Sequence, residues 1–63
     1  MDEETIDEMK GLMWDYGLTR HEAVSYVLHA HGRTQVSIAR ELGVNPSLIS
    51  KRISSAKVKV NGN

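Results

Sequence analysis

Cysteine is absent from this 63-residue sequence, which excludes disulfide bonds and thiolate metal sites. No uninterrupted apolar run approaches the roughly 20 residues that are needed to cross a bilayer. The N-terminal stretch MDEETIDEMK is acidic where a secretory signal peptide would be basic. We therefore expect a soluble, cytoplasmic protein that has no membrane contact.

The chain is also short, and this limits the size of its core. A domain of about 60 residues buries only about 60% of the surface that its unfolded chain exposes, so its stability is marginal. Without a disulfide or a structural metal, packing against a second copy is the most economical further support. We expect a single domain over residues 1–63 that forms a homodimer.

Features of an enzyme are missing as well. The sequence has no nucleophile with a base at a suitable spacing, no glycine-rich phosphate loop and too little volume for a substrate pocket. His21 and His29 are too far apart to pair across one helical turn, and His29 and His31 face different sides of a helix. We expect no enzymatic activity, no metal and no cofactor.

The net charge is zero, because eight Lys and Arg balance eight Asp and Glu, but the two signs are segregated. Lys10 and Arg20 are the only cations of the acidic first third, and Glu41 is the only acid after Ala23. The later part should therefore attract polyanions while the first part repels them. The cations of the later part are Arg33, Arg40, Lys51, Arg52, Lys57 and Lys59.

Capping signals predict two helices in the first half. Asp2 can cap a first, acidic helix within residues 1–17, and Gly17 can end it. Thr19 and Glu22 form a capping box for a second helix that ends at Gly32. The predicted inward positions are Ile6, Met9, Met13 and Tyr16 in the first helix and Val24, Val27, Leu28 and His31 in the second.

Two more helices follow. Thr34 can cap a third helix from Gln35 to Leu42, and Asn45 with Pro46 can start a fourth that runs to about Ser55. The predicted inward positions are Val36, Ile38, Ala39 and Leu42 in the third helix and Ile49, Ile53 and Ala56 in the fourth. The tail over residues 57–63 alternates Val58 and Val60 with Lys57 and Lys59, which indicates a short β-strand.

The stretch TQVSIARELGVNPSLISKRI has the spacing of two helices packed across a tight turn. Ala39 is small where the helices cross, and Gly43 permits a left-handed exit from the first of them. Val44 and Ile49 fill the wedge between them. Residues 34–55 therefore resemble the helix-turn-helix of Cro-type phage repressors. With LTRHEAVSYVLHAHGRT before it, the region also resembles the DNA-binding helices of sigma-factor region four, LuxR-type regulators and some transposases.

The resemblance implies an all-α domain of four helices that binds double-stranded DNA and regulates transcription, most simply as a repressor. Its fourth helix would enter the major groove. The residues that would read base edges there are Ser47, Leu48, Ser50, Lys51 and Ser54. The residues that would contact phosphates are Arg33, Thr34, Gln35, Asn45, Arg52, Lys57 and Lys59. Arg52 departs from the family pattern, which often has an apolar or small residue there.

Other interpretations remain open at this point. The same stretch suits an ordinary helical hairpin, a module of a recombinase, transposase or terminase, or a protein-interaction module such as an antirepressor. The acidic first helix could bind a protein partner or only aid solubility. Trp14 and Tyr16 could stack on single-stranded nucleic acid, but they suit the core or a dimer contact better. The dimer could form through the first helix with Trp14 or through paired tail strands.

Overall fold

The computed structural model describes residues 2–62, and every regular element in this range is an α-helix. The elements are α1 (Glu3–Tyr16), α2 (Arg20–Ala30), α3 (Gln35–Leu42) and α4 (Pro46–Asn61). The expected all-α class with four helices is confirmed. None of the helices in the described range is long and apolar enough to span a membrane.

The predicted caps begin all four helices. Asp2 accepts a hydrogen bond from the Thr5 amide at 2.8 Å, and Thr34 and Asn45 cap α3 and α4 in the same way. Both hydrogen bonds of the capping box are present, from the Glu22 amide to Thr19 Oγ1 and from the Thr19 amide to Glu22 Oε1. Each cap satisfies helix-terminal donors that would otherwise have no partner, and this explains why short helices begin at these residues.

The core lies where α2 packs on α4, the most extensive contact of the fold, with α1 on α2 and α3 on α4 at either side. Ile38, Ile49 and Val27 are the largest apolar side chains that are fully buried. Ala23, Ala39 and Ala56 bring the helices close together because they add little bulk. The remaining buried apolar residues are Met9, Leu18, Leu28 and Ile53.

The predicted strand at Val58 and Val60 is wrong, because α4 continues to Asn61 and ends at Gly62 in the left-handed conformation, with φ 73°. The two valines alternate with lysines, but the pattern also fits a helix. Val60 follows Ala56 by four residues and Ile53 by seven, so it continues the inward stripe of α4 and packs on the core. The helical hydrogen bonds are therefore kept while Val60 stays half-buried.

Several predicted inward positions prove to be exposed. Val36 is 53% exposed on α3, and Trp14 on α1 is 90% exposed, so neither belongs to the core. α3 has only eight residues and contacts the body along the narrow stripe of Ile38 and Ala39. The other exposed residues of this group are Ile6, Tyr16, His31 and Leu42. On α1 and α3, fewer apolar residues meet the core than the pattern predicts.

Candidate nucleic-acid interface

The turn between α3 and α4 spans three residues, Gly43 to Asn45. Gly43 has φ 70°, a conformation that costs residues with a Cβ atom more, and its amide donates to the carbonyls at the end of α3. The Val44 amide donates to the Ala39 carbonyl at 3.0 Å. Buried Ile49 then holds α4 on the core. The turn thus fixes α4 against α3 and leaves the opposite side of α4 free.

The first half of that free side of α4 is polar. Ser47, Lys51 and Ser54 recur at spacings of four and three residues, so they lie on one stripe, and Ser50 lies beside it. All four side chains are exposed. The structure therefore brings together four of the five residues predicted to read bases.

Leu48 is the fifth, and it lies on a different side of α4. Arg52 and Ser55 follow Leu48 by four and seven residues, so these three residues lie on the same side of α4. Ser55 donates a hydrogen bond to Glu22 of α2. This flank of α4 is therefore turned towards the start of α2. Leu48 is only 38% exposed, so it lies at the edge of the polar stripe.

Four cations of α3 and α4 have no acidic partner in the described part of the chain. The ion pairs within residues 2–62 join His31 to Glu8, Arg33 to Glu41 and Lys59 to Glu22. The cations of α3 and α4 that remain are Arg40, Lys51, Arg52 and Lys57. Their charges are not neutralised locally, so α3 and α4 have a positive potential.

Arg33 and Lys59, which the sequence predicts to contact phosphates, are each paired with an acidic residue in the structure. Arg33 Nη2 lies 2.8 Å from Glu41 Oε1, and its guanidinium also donates to Ser37 Oγ. Lys59 Nζ lies 2.7 Å from Glu22 Oε1, and this carboxylate is largely buried. The paired carboxylate neutralises part of the charge with which either cation would attract a phosphate.

Thr34 and Asn45 keep hydrogen-bond donors available although both serve as caps. Thr34 Oγ1 accepts from the Ser37 amide, so its hydroxyl hydrogen can still donate. Asn45 Oδ1 accepts from the amide and the hydroxyl of Ser47, both at 2.9 Å, which leaves the Asn45 amide hydrogens for another acceptor. Both caps are exposed and can donate to a phosphate oxygen.

The hydrogen bond to Asn45 also restricts what Ser47 can do. Its hydroxyl has one hydrogen, which is directed to Asn45 Oδ1, so only its lone pairs face outwards. Ser47 would then accept from a base donor, such as the amino group of adenine or cytosine. Gln35 is the first residue of α3 and is half-buried, and its backbone amide directly follows the Thr34 cap.

Three residues of this face were missed in the prediction from sequence. Val58 and Asn61 continue the stripe of Ser47, Lys51 and Ser54, because α4 is longer than expected. Arg40 is exposed on α3. The charge count already included Arg40, but only the distribution of ion pairs in the structure shows that it lacks an acidic neighbour.

Glu22 fixes the C-terminal half of α4 to α2 through the Lys59 ion pair and the Ser55 hydrogen bond. These two contacts, Lys59 first, and the Thr19 amide lower the pKa of Glu22 from an ordinary 4.5 to about 2. The carboxylate is therefore charged at neutral pH in spite of its burial. It holds α4 in place from the flank that carries Ser55 and Lys59, beside the polar stripe.

Comparison of the chain with protein-family models, with curated proteins and with solved structures finds no match. The function therefore has to be inferred from the arrangement of the residues described above.

Proposed function

We propose that the chain binds double-stranded DNA through α3 and α4, which act as a helix-turn-helix unit, and that it regulates transcription in the cytoplasm. The observation that carries this proposal is the exposed stripe of Ser and Lys on α4, bordered by cations that have no acidic partner in residues 2–62. DNA supplies about one negative charge per 1.7 Å of axis, so it is a natural partner for such a surface.

The first turns of α4 enter the major groove in this proposal. Lys51 donates to the acceptors of guanine, Ser47 accepts from a base amino group, and Ser50 and Ser54 bond to whichever edge they meet. Lys51 is the only charged residue among them, and the serine side chains are short and uncharged. Sequence selectivity per bound subunit is therefore modest.

Phosphate contacts supply most of the affinity. Arg40, Arg52 and Lys57 carry the charge, while the amide of Asn45 and the hydroxyl of Thr34 donate from the two helix starts. Lys57 lies about 15 Å further along the α4 axis than Ser47. Since the groove is about 12 Å wide, Lys57 meets the backbone at its edge while Ser47 faces the bases.

The test is a titration of labelled duplexes with the protein, followed by fluorescence anisotropy at several salt concentrations. Lys51→Gln should weaken binding by about tenfold or more and reduce the salt slope by about one, because one cation is lost. His21→Glu is the matched control. It makes the same formal change in net charge at an exposed residue outside α3 and α4, and should leave affinity nearly unchanged.

Two results would contradict the proposal. One is a failure to bind any duplex at low salt. The other is equal weakening by Lys51→Gln and His21→Glu, which would indicate an effect of net charge alone. If the chain acted instead through a protein partner, Lys51→Gln would leave function intact.

A further inference from the structure

Asn45 and Ser47 are joined by two hydrogen bonds where α4 begins. Asn45 Oδ1 accepts from the backbone amide of Ser47 and from its hydroxyl, both at 2.9 Å. A backbone amide can only donate, so the atom of Asn45 that faces it has to be the side-chain oxygen. The orientation of the Asn45 amide is therefore fixed, with its oxygen towards Ser47 and its two amide hydrogens turned away.

The backbone donors in the first turn of α4 are used within the helix start. Pro46 has no amide hydrogen, and the amides of Leu48 and Ile49 donate to the Asn45 carbonyl at 3.0 and 3.4 Å. The Ser47 amide is held by Asn45 Oδ1. A polar contact between this turn and a base edge therefore has to come from a side chain, and Ser47 is the only polar residue among residues 46–49.

The hydroxyl of Ser47 has one hydrogen, which Asn45 Oδ1 accepts, so the outward side of Ser47 Oγ carries lone pairs only. In water the hydroxyl can rotate at little cost, because solvent replaces either partner. In a groove from which solvent is excluded, rotation away from Asn45 gives up one hydrogen bond. A typical hydrogen bond is equivalent to about a fivefold change in an equilibrium constant.

We infer that Asn45 is a positioning residue for base recognition: it holds Ser47 as an acceptor, so that the base facing Ser47 has to present an amino group. Adenine N6 and cytosine N4 are the amino donors of the major groove, whereas thymine O4 and guanine O6 are acceptors. Each base pair contains one base of each kind, so Ser47 distinguishes a base pair from the same pair inverted. This inference rests on the proposed binding of DNA through α4.

The phosphate contact proposed for Asn45 favours the same orientation of its amide. A phosphate oxygen can only accept, so it binds the amide hydrogens of Asn45 and leaves Oδ1 towards Ser47. The contact with the DNA backbone and the recognition of the base are then made by one connected set of hydrogen bonds.

The test begins with selection from random duplexes by the wild type and by Ser47→Ala. The base pair facing Ser47 is the position whose preference is lost in Ser47→Ala. Anisotropy titrations then compare the selected duplex with one in which this single base pair is inverted. The wild type should bind the inverted duplex about fivefold more weakly. Asn45→Gly removes the acceptor but keeps an acceptable helix cap, so it should bind the two duplexes to within about twofold of each other.

Asn45→Asp is the matched variant. A carboxylate still accepts from the amide and the hydroxyl of Ser47, but it has no hydrogens to donate to a phosphate and adds a negative charge. Asn45→Asp should therefore bind both duplexes more weakly than the wild type and keep the difference between them. A role of Asn45 in helix capping alone would change the affinity for both duplexes equally in both variants. The preference for guanine opposite Lys51 should persist in all variants.

The inference would be overturned if Asn45→Gly kept the wild-type difference between the duplexes, or if Asn45→Asp lost it. Selection of guanine or thymine opposite Ser47, or a selection that Ser47→Ala leaves unchanged, would overturn it as well. In each of these cases the wild type still binds DNA, so the proposed function stands. Failure of the wild type to bind any duplex would overturn both.

Discussion

At the scale of single residues, Glu22 has the most demanding position, because one buried carboxylate serves three contacts. It accepts the Thr19 amide within the capping box, the hydroxyl of Ser55 and the ammonium group of Lys59. A buried charge is tolerated only where such partners replace its hydration. Removal of any one of them would leave the Glu22 carboxylate incompletely satisfied.

Stability should therefore depend on pH through Glu22. Its folded-state pKa of about 2 is below the ordinary 4.5, so its contribution is complete above about pH 5 and is lost as pH falls from 4.5 towards 2. We predict that Glu22→Gln lowers the free energy of unfolding by roughly 2 kcal/mol at pH 7. The difference in the free energy of unfolding between the wild type and Glu22→Gln should fall by about pH 3 to less than half of its value at pH 7.

Urea denaturation across this pH range, at a concentration where the chain is monomeric, measures the effect. Glu4→Gln is the control, because it removes an exposed carboxylate of α1 and changes the net charge equally. A constant gap between wild type and Glu22→Gln from pH 7 to pH 3 would show that the contacts of Glu22 do not lower its pKa.

The local part of this arrangement was predictable and the distant part was not. Thr19 and Glu22 are three residues apart, so the capping box is visible in the sequence. Lys59 is 37 residues from Glu22 along the chain, and its lysine neighbours suggested a phosphate-binding cluster instead. A pairing of that kind depends on how α2 and α4 pack, which no local pattern contains.

At the scale of whole elements, helix starts were predicted well because each has a specific capping residue. Asp2, Thr19, Thr34 and Asn45 all cap as expected. The end of α4 was misjudged because the alternation of Val58 and Val60 with lysine is typical of a strand. The packing of Val60 against the core favours the helix. This packing is a tertiary contact, which a local sequence pattern does not reveal.

The helical form of this segment predicts the effect of substitution at Val58, which is 53% exposed. Val58→Ala should stabilise the protein by about 0.5 kcal/mol, because alanine is the better helix former and little packing is lost. Val58→Thr is the control, since it keeps the branched shape and a similar helix propensity. Thermal unfolding followed by circular dichroism measures both. A strand would give the opposite result, with Val58→Ala less stable than Val58→Thr.

At the scale of the molecule, the zero net charge conceals a division into two sides. Most of the acids lie on α1, and four of the cations without an acidic partner in residues 2–62 lie on α3 and α4. This division was visible in the sequence as a difference between its first third and the rest. The sequence did not show which cations lack an acidic partner, because Arg33 and Lys59 find their partners only in the folded chain.

The proposed DNA binding and the homodimer expected from the short sequence together predict the form of the DNA site. Each copy measures 28 × 28 × 17 Å, so two copies side by side are large enough to reach two successive major grooves, which lie roughly 34 Å apart on one face of DNA. We predict that selection from random duplexes yields inverted half-sites centred about 10 base pairs apart.

Insertion of about five base pairs between these half-sites turns one of them to the opposite face, and affinity should fall by about 100-fold or more because one subunit loses its contacts. A duplex with a single half-site should give a salt slope about half that of the full site, since half as many phosphates are neutralised. The duplexes with and without the insertion and the single half-site, titrated at several salt concentrations, measure both effects. Equal slopes for the full site and the single half-site would mean that DNA is bound by one copy at a time, even if the chain dimerises in its absence.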